Sequence, residues 1–166
     1  MDRLWAPWRI GYVANANKED TCFLCSAAAA ESDDAKNLVV RRGDHCFAIL
    51  NRFPYNNGHV MIAPYAHKAD LPDLTEQERA DMMKLLLEIQ AALRATFCPH
   101  GLDIGLNIGT AAGAGVPGHI HAHILPRWTA DTNFVSTVSD VKVISQSLEE
   151  SYAILAGYFA GGAPER

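Results

Sequence analysis

The sequence predicts a single α+β domain with an antiparallel sheet, and three observations carry this prediction. Short apolar runs bounded by turn residues follow one another at 38–41, 46–50 and 59–63, as strands do. A long helical pattern then separates these strands from further strand patterns at 103–108 and 118–127. Strands in sequence with one long helix inserted are typical of an α+β domain.

Turn signals locate the loops between the first elements. Arg42-Gly43-Asp44 joins two strand patterns and predicts a hairpin. The stretch 51–58 carries Pro and Asn-Gly turn signals, and Pro64 is predicted to end the third strand. The alanine-rich stretch 27–30 predicts a short helix before the first strand.

The inserted helix has a defined start and end. Thr75 and Glu78 have the spacing of a capping box, in which the N-cap hydroxyl and the N3 carboxylate each accept a hydrogen bond from the other residue's backbone N–H. An apolar stripe with spacings of three and four follows up to about Phe97, and Pro99 is predicted to end the helix. The stripe consists of Met82, Leu85, Leu86, Ile89 and Leu93.

Three segments divide the chain. Residues 1–20 are rich in Trp and Tyr without a clear period, which favours an arm packed over the body. Residues 21–135 hold the strands and the long helix and form the main domain. Residues 136–166 contain a second helical pattern, which we expect to pack on the same domain. Its apolar positions are Leu148, Tyr152, Leu155 and Phe159.

Composition limits the class of protein. The 166 residues suffice for a domain with its own core, and 49% hydrophobic with 20% charged residues argues against disorder. A net charge of -5 argues against a general nucleic-acid binder but is compatible with a small phosphorylated ligand. No apolar run approaches the ~18 residues of a membrane span, and the first residues lack a signal-peptide pattern. We therefore expect a cytoplasmic protein whose four cysteines are thiols or metal ligands.

Three of the seven histidines, His119, His121 and His123, lie within five residues and alternate with apolar residues. On a strand these histidines would share one face, and Ile120, Ala122 and Ile124 would line the opposite, core-facing one. Neighbouring imidazoles would be about 6.5 Å apart, since a strand rises ~3.3 Å per residue. That spacing suits one phosphate contacted by two rings. The alternative is a solvated polar strand face, which so dense a cluster of histidines disfavours.

Two further motifs carry possible chemistry. Cys22-x-x-Cys25 has the spacing of zinc-ligating thiolates, and a structural tetrahedral site would need two ligands from distant segments. Free thiols beside a core histidine are the alternative, whereas a redox role lacks the surrounding βαβ pattern. The glycine-rich loop 109–118 lacks the Lys-Ser/Thr pair of a P-loop, but its backbone N–H groups can approach phosphate oxygens.

The histidine strand followed by Leu125-Pro126-Arg127 resembles the signature of the histidine triad (HIT) family of nucleotide hydrolases and transferases. Asn51-x-x-Pro54-x-x-x-Gly58-His59-Val60, with Ile62-x-Pro64 after it, is similar to the ribose-side segment of that family. Cys22-x-x-Cys25 and Pro64-x-x-His67 are similar to zinc segments found in part of it. The resemblance implies a five-stranded antiparallel sheet with two main helices, a catalytic domain at 21–135, and a homodimer paired across the long helix.

The flanks of the triad resemble one bacterial branch, which includes diadenosine tetraphosphate phosphorylases. The segment 113–118 precedes the triad, Arg127-Trp128-x-x-Asp131-x-Asn133-Phe134 follows it, and the opening Leu4-Trp5-x-Pro7-x-Arg9-x-x-Tyr12 also fits. Many other relatives carry Gln and Ser or Thr in the loop and one residue fewer before the first histidine. This chain has Ala114, Gly115 and the added Gly118, so backbone contacts from Gly115 are expected instead.

The resemblance assigns roles to the histidines. It makes His121 the nucleophile that attacks the α-phosphorus and forms a nucleotidyl-histidine intermediate. His123 either donates hydrogen bonds to the phosphate or only orients its neighbours. His67 and His119 complete a structural zinc site with the two thiols. We interpret His59 and His45 as structural and His100 as exposed.

The resemblance also implies the nucleotide contacts. Asn51 is the expected ribose-hydroxyl partner, because its amide both donates and accepts. Asn107 is expected to contact the α-phosphate, the alternative being a bond to its own turn. Ile49, Phe23 and Leu24 are weaker candidates for the base pocket, because apolar residues at these positions fit plain core at least as well.

These observations leave four functional hypotheses. The first is a phosphorylase that passes a purine nucleotidyl group from a dinucleoside polyphosphate to inorganic phosphate. The second is a hydrolase of dinucleoside polyphosphates or nucleoside phosphoramidates that uses water on the same intermediate. The third is a catalytically idle nucleotide-binding dimer. The fourth is a hydrolase whose three triad rings bind zinc, which leaves Cys22-x-x-Cys25 without a role. None involves nucleic acid or a membrane as a partner.

Overall fold

A computed structural model describes residues 22–129, 131 and 144–161, and the proposed arm 1–20 lies outside them. The described chain forms a five-stranded sheet in the order β1-β2-β3-β5-β4, in which every neighbouring pair is antiparallel. The strands are β1 (Val39–Arg42), β2 (Cys46–Leu50), β3 (Val60–Pro64), β4 (Gly101–Leu106) and β5 (Ala122–Arg127). The predicted α+β class with a five-stranded antiparallel sheet is confirmed.

Within the described residues four helices accompany the sheet: α1 (Phe23–Ala29), α2 (Asp34–Asn37), α3 (Glu76–Phe97) and α4 (Leu148–Phe159). Short 3-10 turns lie at Glu31–Asp33, Leu71–Asp73 and Thr110–Ala112. The two main helices, α3 and α4, match the predicted patterns. None of the helices within these described segments is long and apolar enough to cross a membrane.

The inner strands β2 and β3 are buried on both faces of the sheet, and successive residues of β2 divide between two cores. Cys46, Ala48 and Leu50 belong to the main core with residues of α3 and Leu155 of α4. Phe47 and Ile49 belong to a smaller core covered by α1. Burial on both faces explains why this strand reads as a continuous apolar run.

Side chains of α3 anchor its own start and the neighbouring hairpin. The capping box is present: the Thr75 hydroxyl accepts from the Glu78 N–H, and the Glu78 carboxylate accepts from the Thr75 N–H. The buried Asp81 carboxylate accepts hydrogen bonds from the N–H groups of His45 and Cys46 at 2.7 and 2.8 Å. A Cβ at Gly43 would lie 2.6 Å from this carboxylate, so glycine is required there by close approach.

Several element boundaries differ from the sequence prediction. α1 begins at Phe23, so that Cys25 lies inside the helix rather than before it. β4 begins two residues earlier than predicted, at Gly101, because its pairing with β5 extends to Arg127. β5 begins at Ala122, so His119 and His121 precede the regular strand. Of the segment that resembles the bacterial branch after the triad, 130 and 132–134 lie outside the described residues.

Candidate active site

All three triad histidines are buried, and the rings of His121 and His123 lie side by side, as predicted for residues that share one face. Ile120, Ala122 and Ile124 point into the main core on the opposite face. The ring centroids of His121 and His123 are 4.8 Å apart and nearly perpendicular, closer than the expected 6.5 Å. The expected value is the distance between the backbone positions of the two residues. The two rings lean toward each other, so their centroids are closer than that.

His121 has a defined hydrogen position. Its Nδ1 lies 2.8 Å from the main-chain carbonyl oxygen of His119. A carbonyl oxygen only accepts, so Nδ1 carries the hydrogen and the lone pair is on Nε2. Burial lowers the pKa of His121, and the hydrogen bond to the His119 carbonyl opposes this in part. The ring is therefore held neutral with an unprotonated Nε2, which is the form that can act as a nucleophile.

His59, interpreted from the sequence as structural, contacts the triad directly. It is fully buried, and its Nε2 lies 2.9 Å from Nδ1 of His123. Its Nδ1 accepts from the backbone N–H of Tyr55 at 3.2 Å and lies 3.3 Å from Nδ2 of Asn51. Sequence reasoning missed this role because the contact crosses 64 residues; the resemblance of 51–64 to the family's ribose-side segment was the only available signal.

Cys22, Cys25, His67 and His119 converge on one point, with their ligand atoms all within 4.8 Å of one another. Nδ1 of His119 lies 3.4 Å from each sulfur, and Nδ1 of His67 lies 3.2 Å from the Cys25 sulfur. In a tetrahedral zinc site with Zn–S about 2.3 Å and Zn–N about 2.0 Å, sulfur and nitrogen would be about 3.5 Å apart. The four side chains fit such an ion.

The other two thiols are separate from this cluster. Cys46 is buried in the main core, where burial raises the pKa of its thiol to about 12. Cys98 is exposed at the end of α3.

His119 offers only Nδ1 to the cluster, because its Nε2 donates to the Pro64 carbonyl oxygen at 2.9 Å. Its ring faces the thiols rather than the other two triad rings, so the hypothesis of a zinc ion held by all three has no support in this geometry.

Strand register places one of the nucleotide candidates on the histidine face. Ile49 pairs with Met61, and Met61 pairs with His123, and paired residues share a face of the sheet. Ile49 and Leu24 are both buried in the core beneath α1, while Phe23 is 36% exposed. Gly105 lies opposite His123 on β4, and a Cβ added there would meet no atom within 4 Å. Sequence reasoning did not identify this open position beside the triad.

The remaining candidates lie in loops around the same strands. Asn51 follows β2 and is half-buried; its Oδ1 accepts from the Phe53 N–H at 2.9 Å. Asn107 follows β4 by one residue and is half-buried. Gly115 lies in the loop between β4 and β5 and is also half-buried. The structure therefore links Asn51 to the triad through His59, whereas Asn107 and Gly115 are linked to it only by their position in the chain.

Comparisons with known proteins show which proteins this chain is similar to. The HIT domain model matches residues 32–130. The AP-4-A phosphorylase of Mycobacterium tuberculosis is 38% identical over an alignment of 166 positions. The alignment covers 96% of this chain and 85% of that protein. The asymmetrical bis(5'-nucleosyl)-tetraphosphatase of Schizosaccharomyces pombe is 31% identical over 69% of this chain and 59% of its own. A Zn-bound histidine triad family protein from Mycobacterium smegmatis has a TM-score of 0.68 at 28% identity and covers 85% of this chain and 94% of its own.

Burial of His59 predicts a loss of stability in acid. Burial, with smaller contributions from His123 and His121, lowers its pKa from 6.5 to about 3. Below pH 6.5 the unfolded chain binds a proton at this residue that the folded chain does not bind, so the unfolded state is favoured as the pH falls toward 3. Between pH 7 and pH 4 this residue should cost about 3 kcal/mol of unfolding free energy.

Urea unfolding at pH 7, 6, 5 and 4 measures this effect. His59→Gln, which does not titrate, should lose less stability over this range than the original protein by that amount. The difference between the two proteins isolates residue 59 from the other histidines. Parallel pH profiles would contradict the assignment.

Proposed function

The chain belongs to the HIT domain family, and we propose that it is a nucleotidyltransferase that cleaves dinucleoside polyphosphates, such as diadenosine tetraphosphate, at the α-phosphate and transfers the nucleotidyl group to inorganic phosphate. One observation carries the proposal: the His119 carbonyl holds the hydrogen of His121 on Nδ1 and leaves Nε2 with a lone pair. The 38% identity to the AP-4-A phosphorylase of M. tuberculosis supports the choice of substrate.

The reaction has two displacements at one phosphorus atom. The Nε2 lone pair of His121 attacks the α-phosphorus, a P–N bond forms, and the P–O bond to the remaining polyphosphate breaks. The leaving group departs as a nucleoside triphosphate when the substrate is diadenosine tetraphosphate. A phosphate oxygen then attacks the same phosphorus, the P–N bond breaks, and a nucleoside diphosphate is released. The His119 carbonyl stabilises the positive charge on the ring while the P–N bond exists.

We assign five residues to the nucleotide around this centre. His123, whose ring lies beside that of His121, serves the phosphate oxygens. Asn107 serves the α-phosphate: the β4–β5 register, continued by one residue, would bring it opposite His121. Gly115 supplies a backbone contact to phosphate. Asn51 serves the ribose hydroxyls, since its amide keeps one N–H and one lone pair after its two internal bonds. Ile49, which is buried in the smaller core on the histidine face of the sheet, contacts the base.

A hydrolase is the second candidate function, because the tetraphosphatase of S. pombe is also a relative. The first displacement is the same in both cases. Water instead of phosphate then attacks the nucleotidyl-histidine, and the second product is a nucleoside monophosphate. Only the acceptor distinguishes the two reactions.

Product analysis with diadenosine tetraphosphate tests the proposal. In the presence of inorganic phosphate we expect ATP and ADP as products, with a rate that rises with phosphate concentration. His121→Asn should lower turnover about 10³-fold or more, because it removes the nucleophile. His45→Asn changes an exposed histidine outside the site and should leave turnover unchanged.

The outcomes separate the hypotheses. ATP and AMP at a rate independent of phosphate would overturn the phosphorylase in favour of the hydrolase. Unchanged turnover in His121→Asn would overturn both and favour an idle nucleotide-binding protein.

We further propose that the cluster of Cys22, Cys25, His67 and His119 holds a structural zinc ion. The four ligands would complete a tetrahedral shell and leave no open position for substrate, so the ion would position the site rather than take part in the reaction. The Zn-bound relative from M. smegmatis supports the choice of metal.

Metal analysis of purified variants tests the zinc proposal. The original protein and His121→Asn should contain about one zinc per chain, since His121 is not a ligand, whereas Cys22→Ser should lose it. Cys98→Ser, which changes an exposed thiol outside the cluster, should keep it. Stoichiometric zinc in Cys22→Ser, or its loss in His121→Asn, would contradict the proposed ligand set.

We also propose that the protein is a homodimer paired across α3. An apolar surface supports this: Met83 and Leu87 on α3 are 58% and 60% exposed, and Ile104 and Leu106 on β4 are 50% and 38% exposed. Ile104 and Leu106 pair with core residues of β5, so they lie on the sheet face that carries α3. Glu88 lies on the opposite side of α3 and pairs with Arg41 of β1. Because that side of the helix is turned toward β1, Met83 and Leu87 are turned toward β4. β4 is an edge strand, so the surface continues to the border of the sheet.

Sedimentation measurements test the dimer. The original protein should sediment with the mass of two chains, and Leu87→Glu should weaken association at least about 10-fold, because it places a charge in an apolar contact. Lys84→Glu changes the charge on the flank that faces Asp44 and should remain dimeric. A monomeric original protein would contradict the proposal, as would a Leu87→Glu variant that dimerises equally well.

We propose a cytoplasmic location as well. The support is chemical: none of the four cysteines forms a disulfide bond with another, and the proposed zinc ligands require reduced thiols.

A further inference from the structure

Helix α1 carries one half of the cysteine cluster on the histidine face of the sheet. Cys22 is the residue before the helix and Cys25 lies in its first turn, so both thiols take their positions from α1. Leu24 and Ala27 bury the helix in the smaller core. Apolar burial is non-directional, so it fixes the slide and rotation of so short a helix less sharply than hydrogen bonds do. The position of the thiols therefore depends on the directional contacts of α1.

Arg42 of β1 makes such contacts at the C-terminal end of α1. The last three residues of this helix are alanines, so their side chains cannot bond its final carbonyl groups. The last carbonyls of a helix also have no partner within the helix. The Arg42 guanidinium supplies the partners from another element: Nη1 donates to the Ala28 carbonyl at 3.1 Å, and Nη2 donates to the Ala27 carbonyl at 2.9 Å.

The guanidinium of Arg42 is itself held in place. The Asp34 carboxylate, at the start of α2, accepts from Nε at 3.0 Å and from Nη2 at 2.7 Å. The guanidinium carbon lies 5.9 Å from the ring centroid of Phe47 and 5.9 Å from that of Tyr65. A guanidinium has five N–H donors in fixed directions, whereas an ammonium is a single point charge. Arginine can therefore bind both carbonyls and the carboxylate at once, which lysine cannot do.

The other end of α1 faces the histidines of the metal cluster. Nδ1 of His119 lies 3.4 Å from each sulfur, and Nδ1 of His67 lies 3.2 Å from the Cys25 sulfur. Side chains that already stand in the bound arrangement bind a ligand more tightly, because no ordering cost is subtracted from the affinity. Whatever holds α1 in this position therefore raises the affinity of the cluster for a metal ion.

We propose that Arg42 is a positioning residue for the metal cluster. By holding the C-terminal carbonyls of α1, it keeps the two thiols at the distance from the two histidine ligands that a zinc ion requires. It touches neither the ion nor the substrate. The inference rests on the proposed zinc site and adds the residue that prepares this site in the folded chain.

The zinc affinity of purified variants measures this role. Zinc-loaded protein is titrated at pH 7, under reducing conditions, with a chromophoric chelator of known zinc affinity. We expect the zinc dissociation constant to rise about 10-fold in Arg42→Gln, the lower end of the 10–100-fold that partners of metal ligands contribute. Arg42→Lys keeps only the charge and should raise the constant nearly as far. Asp34→Asn keeps Arg42 but removes the carboxylate that orients it, and should raise the constant less.

Arg41→Gln is the matched control. Arg41 is the neighbouring residue of β1, and it pairs with Glu88 of α3 at 2.9 Å and lies 5.4 Å from the ring centroid of Phe159 in α4. Its substitution also removes an ion pair and an aromatic contact of an arginine, but not at α1. We expect this variant to bind zinc as tightly as the original protein. An equal loss of zinc affinity in Arg41→Gln and Arg42→Gln would reveal a general structural effect and overturn the proposal.

The outcomes distinguish this inference from the proposals on which the site rests. An original protein that binds no zinc would overturn both the zinc site and the role of Arg42. Tight zinc binding with unchanged affinity in the Arg42 variants would overturn the positioning role and leave the zinc site standing. Should circular dichroism find Arg42→Gln unfolded, Arg42→Lys and Asp34→Asn still decide, since each keeps a cation at this position. The titration contains no nucleotide, so its result is independent of the proposed cleavage reaction.

Discussion

The site depends on the way His119 is held at three points. Its Nδ1 faces the two thiols of Cys22 and Cys25, its Nε2 donates to the Pro64 carbonyl at the end of β3, and its own carbonyl accepts from Nδ1 of His121. One residue thus joins α1, β3 and the proposed nucleophile. Because the ring contacts and the main-chain contact belong to the same residue, movement of the cysteine cluster would move the carbonyl that sets the hydrogen of His121. A structural metal in that cluster would act on the chemistry by this route, without touching the substrate.

The long helix is joined to the same centre from the other side. The Ile120 N–H, between the first two triad histidines, donates to the Lys68 carbonyl at 2.6 Å. The Lys68 ammonium pairs with the Glu78 carboxylate at 2.7 Å, and that carboxylate also closes the capping box with Thr75. Lys68 directly follows the proposed ligand His67, so the start of α3, the metal cluster and the triad share one short segment. The acidic side chain that begins the helix therefore also helps to position the histidines, and an apparently local capping motif has a second role.

Local patterns predicted the elements well, because each depends on residues close in sequence. The capping box at Thr75, the hairpin around Gly43 and the alternation of histidines with core residues all follow from spacing alone. Long-range pairing was harder to predict. The position of β5 between β3 and β4 brings His123 beside Met61 on one side and Gly105 on the other, and no periodicity signals it. His59 was undervalued for the same reason: a single buried histidine gives no pattern, and its importance lies in a partner 64 residues away.

The sequence by itself determined which side chains share a face and which chemistry they can supply. Residues two apart on an extended chain point the same way, and the type and spacing of His and Cys indicate nucleophilic and metal-binding roles. Only the tertiary structure decided which partner each histidine contacts. The three imidazoles are chemically identical, and what distinguishes them is the atom opposite each Nδ1: two thiols for His119, a carbonyl that accepts for His121, and Nε2 of His59 for His123. Those partners come from three separate segments of the chain, and a hydrogen on a ring nitrogen is placed by its partner rather than by its own residue type.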